Sequence, residues 1–218
     1  MTVERVAGSD VYGTSMACTR YLLAHGGSQR YAIACNPTSF VDAVSISGWA
    51  YANRVPVMLQ TWGATAADRG FDAEAASVIA GRDLIVCGGE MAVSQDSVSG
   101  LGAASVTRLG GDTLYDTNLR IVGFALENGM SASDVAVASD IYSFSGVDAL
   151  AASALAGRRG GVVLLAQSNP AYDPAPETSA ALGFISAHAS EVSRVHVLGG
   201  EVAQTPEFYR QIEDALGK

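Results

Sequence analysis

Arg5 and Arg108 each stand just ahead of a glycine-containing turn, at Gly8 and at Gly110-Gly111. From such a place the planar guanidinium can grip a carboxylate or phosphate, or pair with an acid across a module interface. Asp42 and Asp148 fall where helices should begin, so each can satisfy free helical N–H groups or serve a ligand. Tyr12 and Tyr115 precede the first helix of each half of the chain and offer rings for sheet packing or sugar stacking. Gly88-Gly89-Glu90 and Gly199-Gly200-Glu201 end apolar runs, the region where open α/β sheets bind ligands. Paired glycines there permit close approach of a ligand or a tight turn into a helix.

Enzyme signatures are missing. The chain has no GxxxxGK[ST] and no GxSxG, and Gly100-Leu101-Gly102 lacks the glycine that would complete a dinucleotide fingerprint. His25, His188 and His196 show no metal-ligand spacing, and no metal or cofactor is expected. Composition narrows the classes further. The 218 residues include 13 Lys and Arg against 22 Asp and Glu, a net charge of −9, with 49% hydrophobic residues. That is too apolar for disorder and too acidic for a phosphate-backbone binder, so no nucleic-acid partner is expected. No run reaches the roughly 20 apolar residues that a bilayer span requires. Cys18, Cys35 and Cys87 are widely spaced and form no disulfide framework. No signal peptide precedes the patterned sequence, so an exported protein would have had it removed.

The elements that must position these residues come in two sets. Arg5–Thr14 aligns with Arg108–Thr117, Phe40–Ala43 with Gly146–Ala149, Val57–Leu59 with Val163–Leu165, and Val86–Ala92 with Val197–Ala203. Four blocks in one order mean duplication, with modules expected at 1–107 and 108–218. In the first, helices are expected near 14–25, 42–53 and 73–80, and strands near 31–35, 55–59, 83–87 and 106–109, with Ser94 capping a short helix. In the second, strands are expected near 135–138, 162–166 and 194–198, and helices near 117–128, 148–158, 177–189 and 206–216. Such alternation, with continuously apolar strands, predicts α/β modules whose parallel sheets are covered on both faces.

Together the blocks resemble the cell wall binding repeat 2 family of Gram-positive surface proteins. Its pattern runs R-[IV]-x-G-x-[DN]-R-Y-x-T, aromatic-[AS]-D-A-L, P-[IV]-L-L and [IV]-x-G-G-x-x-x-[IV], and each block here matches one of these in turn. The resemblance implies two tandem Rossmann-like or Toprim-like modules and a non-catalytic role. They would anchor a surface protein to the wall through an anionic polymer, with a groove at equivalent places in both copies. It implies polymer contacts at Arg5, Arg108, Val57, Met58, Leu59, Val163, Leu164 and Leu165, with Tyr12 and Tyr115 beside them. Two departures stand out. The arginine before the motif tyrosine is Val11 in one copy and Leu114 in the other. The family's usual three modules are two here, which implies a third module elsewhere or association of chains. A protein-docking scaffold, or an α/β enzyme acting on a nucleotide or sugar, are the competing expectations.

Overall fold

Short runs of small and branched residues build the sheets. The computed structural model describes residues 1–38, 40–63, 68–139, 146–171 and 176–218, with the Phe40 side chain outside that set. The elements run α1 (Val11–Ala24), β1 (Tyr31–Cys35), α2 (Phe40–Asn53), β2 (Val57–Leu59), α3 (Ala73–Ile79), β3 (Asp83–Cys87), α4 (Gln95–Val98) and β4 (Ser105–Leu109). They continue with α5 (Leu114–Glu127), β5 (Asp134–Ala138), α6 (Val147–Arg159), β6 (Val162–Leu165), α7 (Ser179–Ala187), β7 (Arg194–Val197) and α8 (Pro206–Ala215). The expected elements are all present, most within three residues of their expected ends. Ser94 caps α4 by accepting from Ser97 N–H.

Two compact units emerge, 1–39 with 53–110 and 40–52 with 111–218. The first holds a sheet of order β2-β1-β3-β4, and all its strand pairs are parallel. Along β1 and β3 both alternating sets of side chains are buried, except at the first residue of each strand. One set, Ala32, Ala34, Leu84 and Val86, packs with Met16 of α1, Ala75 and Ile79 of α3 and Val98 of α4. The second unit holds a parallel sheet of order β6-β5-β7. Its core joins Ala136, Ala138, Val163 and Leu165 to Ala149, Ala152 and Ala156 of α6.

By sequence α2 belongs to the first copy, yet it packs within the second unit. Val41 and Val44 join the α6 core. Ser153 Oγ donates to the Val44 carbonyl at 2.8 Å, and Asn118 Nδ2 donates to Ser45 Oγ at 2.9 Å. Trp49 Nε1 donates to the Asn128 carbonyl at 3.1 Å, and its ring meets Phe124 edge-on at 5.0 Å. The two helices touch through glycines. A Cβ on Gly157 would lie 2.6 Å from the Gly48 carbonyl and 2.8 Å from the Tyr51 ring. The physical cause is the composition of α2, whose apolar and small residues occur all around the helix, so it needs cover on more than one side.

Two sets of predictions follow, the first on glycines. Gly157→Ala is expected to lower the urea midpoint by the equivalent of about 1–3 kcal/mol, because the clash is with backbone. Gly183 in α7 is exposed and has nothing within 4 Å of the added methyl. Gly183→Ala should therefore raise the midpoint, by about 0.5–1 kcal/mol. The second concerns Asp42, buried in the first turn of α2, whose pKa is pushed up to about 6 by desolvation. A raised folded-state pKa gives stability that is full below the unfolded value of 3.8 and lost as pH rises through about 6. Asp42→Asn should be more stable than the parent at neutral pH, by up to about 3 kcal/mol, and equal to it below about pH 4. Urea unfolding at the two pH values reads the difference.

Candidate functional site

The repeated motif is first a piece of architecture. Thr14 Oγ1 accepts from Gly8 N–H at 3.2 Å, and Thr117 Oγ1 accepts from Gly111 N–H at 2.9 Å. Asp10 caps α1 by accepting from Gly13 N–H at 2.7 Å, and Thr113 with Asp116 forms a reciprocal capping box on α5. Gly88 and Gly199 lie at φ of 106° and 101°, the left-handed region that favours glycine. A Cβ on Gly110 would come within 2.6 Å of Gly89 N. Bare backbone therefore lets the end of β4 lie against the turn after β3.

Arg108 fastens that contact. Nη1 donates to the Val93 carbonyl at 2.7 Å and to the Gly88 carbonyl at 3.1 Å, and Nη2 donates to Gln95 Oε1 at 3.3 Å. Arg5, its counterpart, is exposed and lies outside any strand. Asp148 approaches the second turn, since a Cβ on Gly199 would lie 2.8 Å from its Oδ2. Neither acid sits in a cluster of three or more metal-ligating side chains among the described residues.

The strand contacts implied by the resemblance divide by burial. Met58, Val163, Leu164 and Leu165 are at most 2% exposed. Their side chains are core, and a polymer on the folded surface does not reach them. Val57 and Leu59 are partly exposed. Tyr115 and Leu114 pack on the core of the second unit. Val11 is exposed at the start of α1.

Open surface with chemistry lies in the loops that leave β2 and β6. Each is closed by an antiparallel bridge, Thr61 with Gly70 and Gln167 with Glu177. Buried amides tether their bases. Gln60 Nε2 donates to the Ala92 carbonyl at 2.7 Å, and Gln204 Nε2 donates to the Ala166 carbonyl at 3.2 Å. In the first unit Tyr12 reaches this loop, its hydroxyl accepting from Trp62 N–H at 3.0 Å. The Arg69 guanidinium carbon lies 3.6 Å from the centre of the Trp62 ring. Arg69 Nε is buried and has no hydrogen-bond partner among the described residues. A half-exposed arginine stacked over an indole, at the carboxyl end of a parallel sheet, suits an anion beside an apolar sugar face. In the second unit the equivalent loop borders a cleft of about 310 Å³, lined by Ser168, Pro170, Pro176, Thr178, Thr205 and Glu207 among others. Its chemistry is hydroxyl-rich and carries no arginine.

Trp62 and Arg69 were missed by the sequence reading, because neither falls in a repeated block and seven positions separate them. The available signal was their place, an aromatic and a cation in the first loop after a strand at the carboxyl edge.

No curated protein matches the chain. Among solved structures it is similar to Cwp8 from Clostridium difficile, at 23% identity and a TM-score of 0.75 over 99% of this chain and 34% of that one. It is also similar to Cwp6 from Clostridium difficile, at 18% identity and a TM-score of 0.77 over 96% and 31%. The chain thus spans about a third of each, and these likenesses establish a shared fold. The profile of cell wall binding domain 2 (CWB2) matches twice, over residues 5–98 and 108–208. With that double match covering most of the chain, this protein belongs to the CWB2 family of cell wall binding domains.

Proposed function

We propose that the chain is a non-catalytic module that holds a surface protein to the Gram-positive cell wall by binding an anionic wall polymer. The observation that carries this is the double match to a cell wall binding family over most of the chain. The bridged loop of the first unit is the polymer contact. Arg69 supplies a guanidinium for phosphate or carboxylate, the Trp62 ring lies beneath it, and Tyr12 braces the loop from α1. Val57 and Leu59 border it as the partly exposed part of β2. Arg108 acts as a fastener, since its donors already meet internal acceptors.

A net charge of −9 opposes long-range attraction of a polyanion. Screening confines that repulsion to about 8 Å at physiological ionic strength, so a local cation decides the contact. A repeating polymer engages many such sites, and linked weak contacts gain about 10²–10⁴ in avidity.

Co-sedimentation tests the reading. The chain is expected to pellet with protein-stripped Gram-positive walls and to stay in solution with walls also stripped of anionic polymer. Arg69→Gln should reduce the pelleted fraction at least tenfold, about 1.4 kcal/mol, with an unchanged thermal melt. Pelleting that ignores polymer removal would overturn the anionic polymer. Pelleting that ignores Arg69→Gln would remove this loop from the contact.

A further inference from the structure

The two sheets differ at one edge, and the chain carries a segment that fits the difference. In the first unit β4 pairs in parallel with β3, placing Leu84 opposite Val106, Val86 opposite Arg108 and Cys87 opposite Leu109. Under this cover Leu84, Ile85, Val86 and Cys87 are at most 2% exposed. In the second unit β7 occupies the place of β3, pairing with β5 as β3 pairs with β1. Among the described residues β7 has no strand on its other side, and Val195, His196 and Val197 are only partly buried.

The repeat names the missing strand. Ser105-Val106-Thr107-Arg108-Leu109 of β4 aligns with Thr2-Val3-Glu4-Arg5-Val6. Those five residues lie outside any strand, and Val3 is 94% exposed. An exposed segment of strand-forming sequence and an unpaired parallel edge are complementary surfaces.

We propose that residues 2–6 of a second copy of this chain add to β7 as a parallel fourth strand. The register follows from β4. Val3 lies opposite Val195, Glu4 opposite His196, Arg5 opposite Val197 and Val6 opposite Leu198. Arg5 then takes the place of Arg108 and donates to the carbonyls of Gly199 and Gln204, the counterparts of Gly88 and Val93. The Val6 carbonyl accepts from Gly199 N–H, as the Leu109 carbonyl accepts from Gly88 N–H at 2.7 Å. Charge agrees with the register. Where Thr107 faces Ile85 in the first unit, Glu4 would face His196, with Arg194 on the same side of β7. Asp134 already stands 3.9 Å from Arg194 and 3.2 Å from Arg159, and 3.1 Å from His196, so Glu4 brings a second acid to a place where two arginines share one. Because segment and edge are different surfaces, contact is head-to-tail. Reciprocal exchange closes a dimer, and one-way exchange builds longer chains.

Sedimentation velocity of the 218-residue chain, from about 1 µM to about 1 mM, spans specific association of weak to moderate strength. The mean mass is expected to rise with concentration. The amides of Val195, Val197 and Gly199, which face away from β5, should gain protection from hydrogen exchange in step. Val3→Asp with Val6→Asp, in a segment outside any strand of the folded chain, should weaken association at least tenfold, and Val3→Asp alone, at a fully exposed side chain, should weaken it with the thermal melt unchanged. Met91→Asp, at an equally exposed side chain elsewhere, should leave association as it was. A chain that stays monomeric throughout overturns the proposal, as does association unmoved by the double variant. Strong protection of the Val195 and Val197 amides in the dilute monomer would also overturn it, because the chain would then be closing its own edge.

Discussion

One guanidinium holds the edge of the first unit together. Arg108 reaches the carbonyls of Gly88 and Val93 because Gly88 turns the chain back in the left-handed region and Gly110 has no side chain to keep the backbones apart. Arginine, left-handed glycine and close-approach glycine are three parts of one joint. With the joint made, β4 covers β3, and a strand that would be an edge becomes part of the interior. A parallel strand pair depends on such a fastening more than an antiparallel hairpin does, because no short turn ties its two strands. The same logic explains why β7 has the burial of an edge strand although its sequence repeats that of β3.

Most of the framework was legible because its signals are local. Asp83–Cys87 is a continuous apolar run ended by paired glycines, and it forms a strand over those same residues. Ser94 caps as expected. Val162–Leu165 carried its own answer: a continuous apolar strand is the mark of burial on both faces. The family resemblance pointed the other way, to a polymer contact, and the burial of Val163, Leu164 and Leu165 sides with the pattern.

What was hidden is tertiary. The helix at 40–53 is apolar nearly all round, so its periodicity names no single partner face. Its place beside α6 depends on Gly48 meeting Gly157, residues more than a hundred positions apart. Trp62 and Arg69 meet only because the bridge from Thr61 to Gly70 folds their loop back on itself. No window of sequence contains that bridge. The loop lies outside the aligned blocks, so alignment of repeats points away from it.

Divergence between the copies gives duplication its use. One bridged loop carries an arginine on an indole, and the other borders a cleft of hydroxyls and prolines. One sheet has its fourth strand within the chain, and the other, among the described residues, has an open edge. In the proposed anchoring, one such arginine on an acidic protein is a weak hold on a polyanion. Its strength must come from repetition, since a polymer rewards many weak contacts held at once. A chain whose second unit recruits the first strand of another copy would supply that repetition, one Arg69 per copy along the assembly. On these proposals the open edge and the half-exposed arginine answer to one requirement: the first multiplies the second.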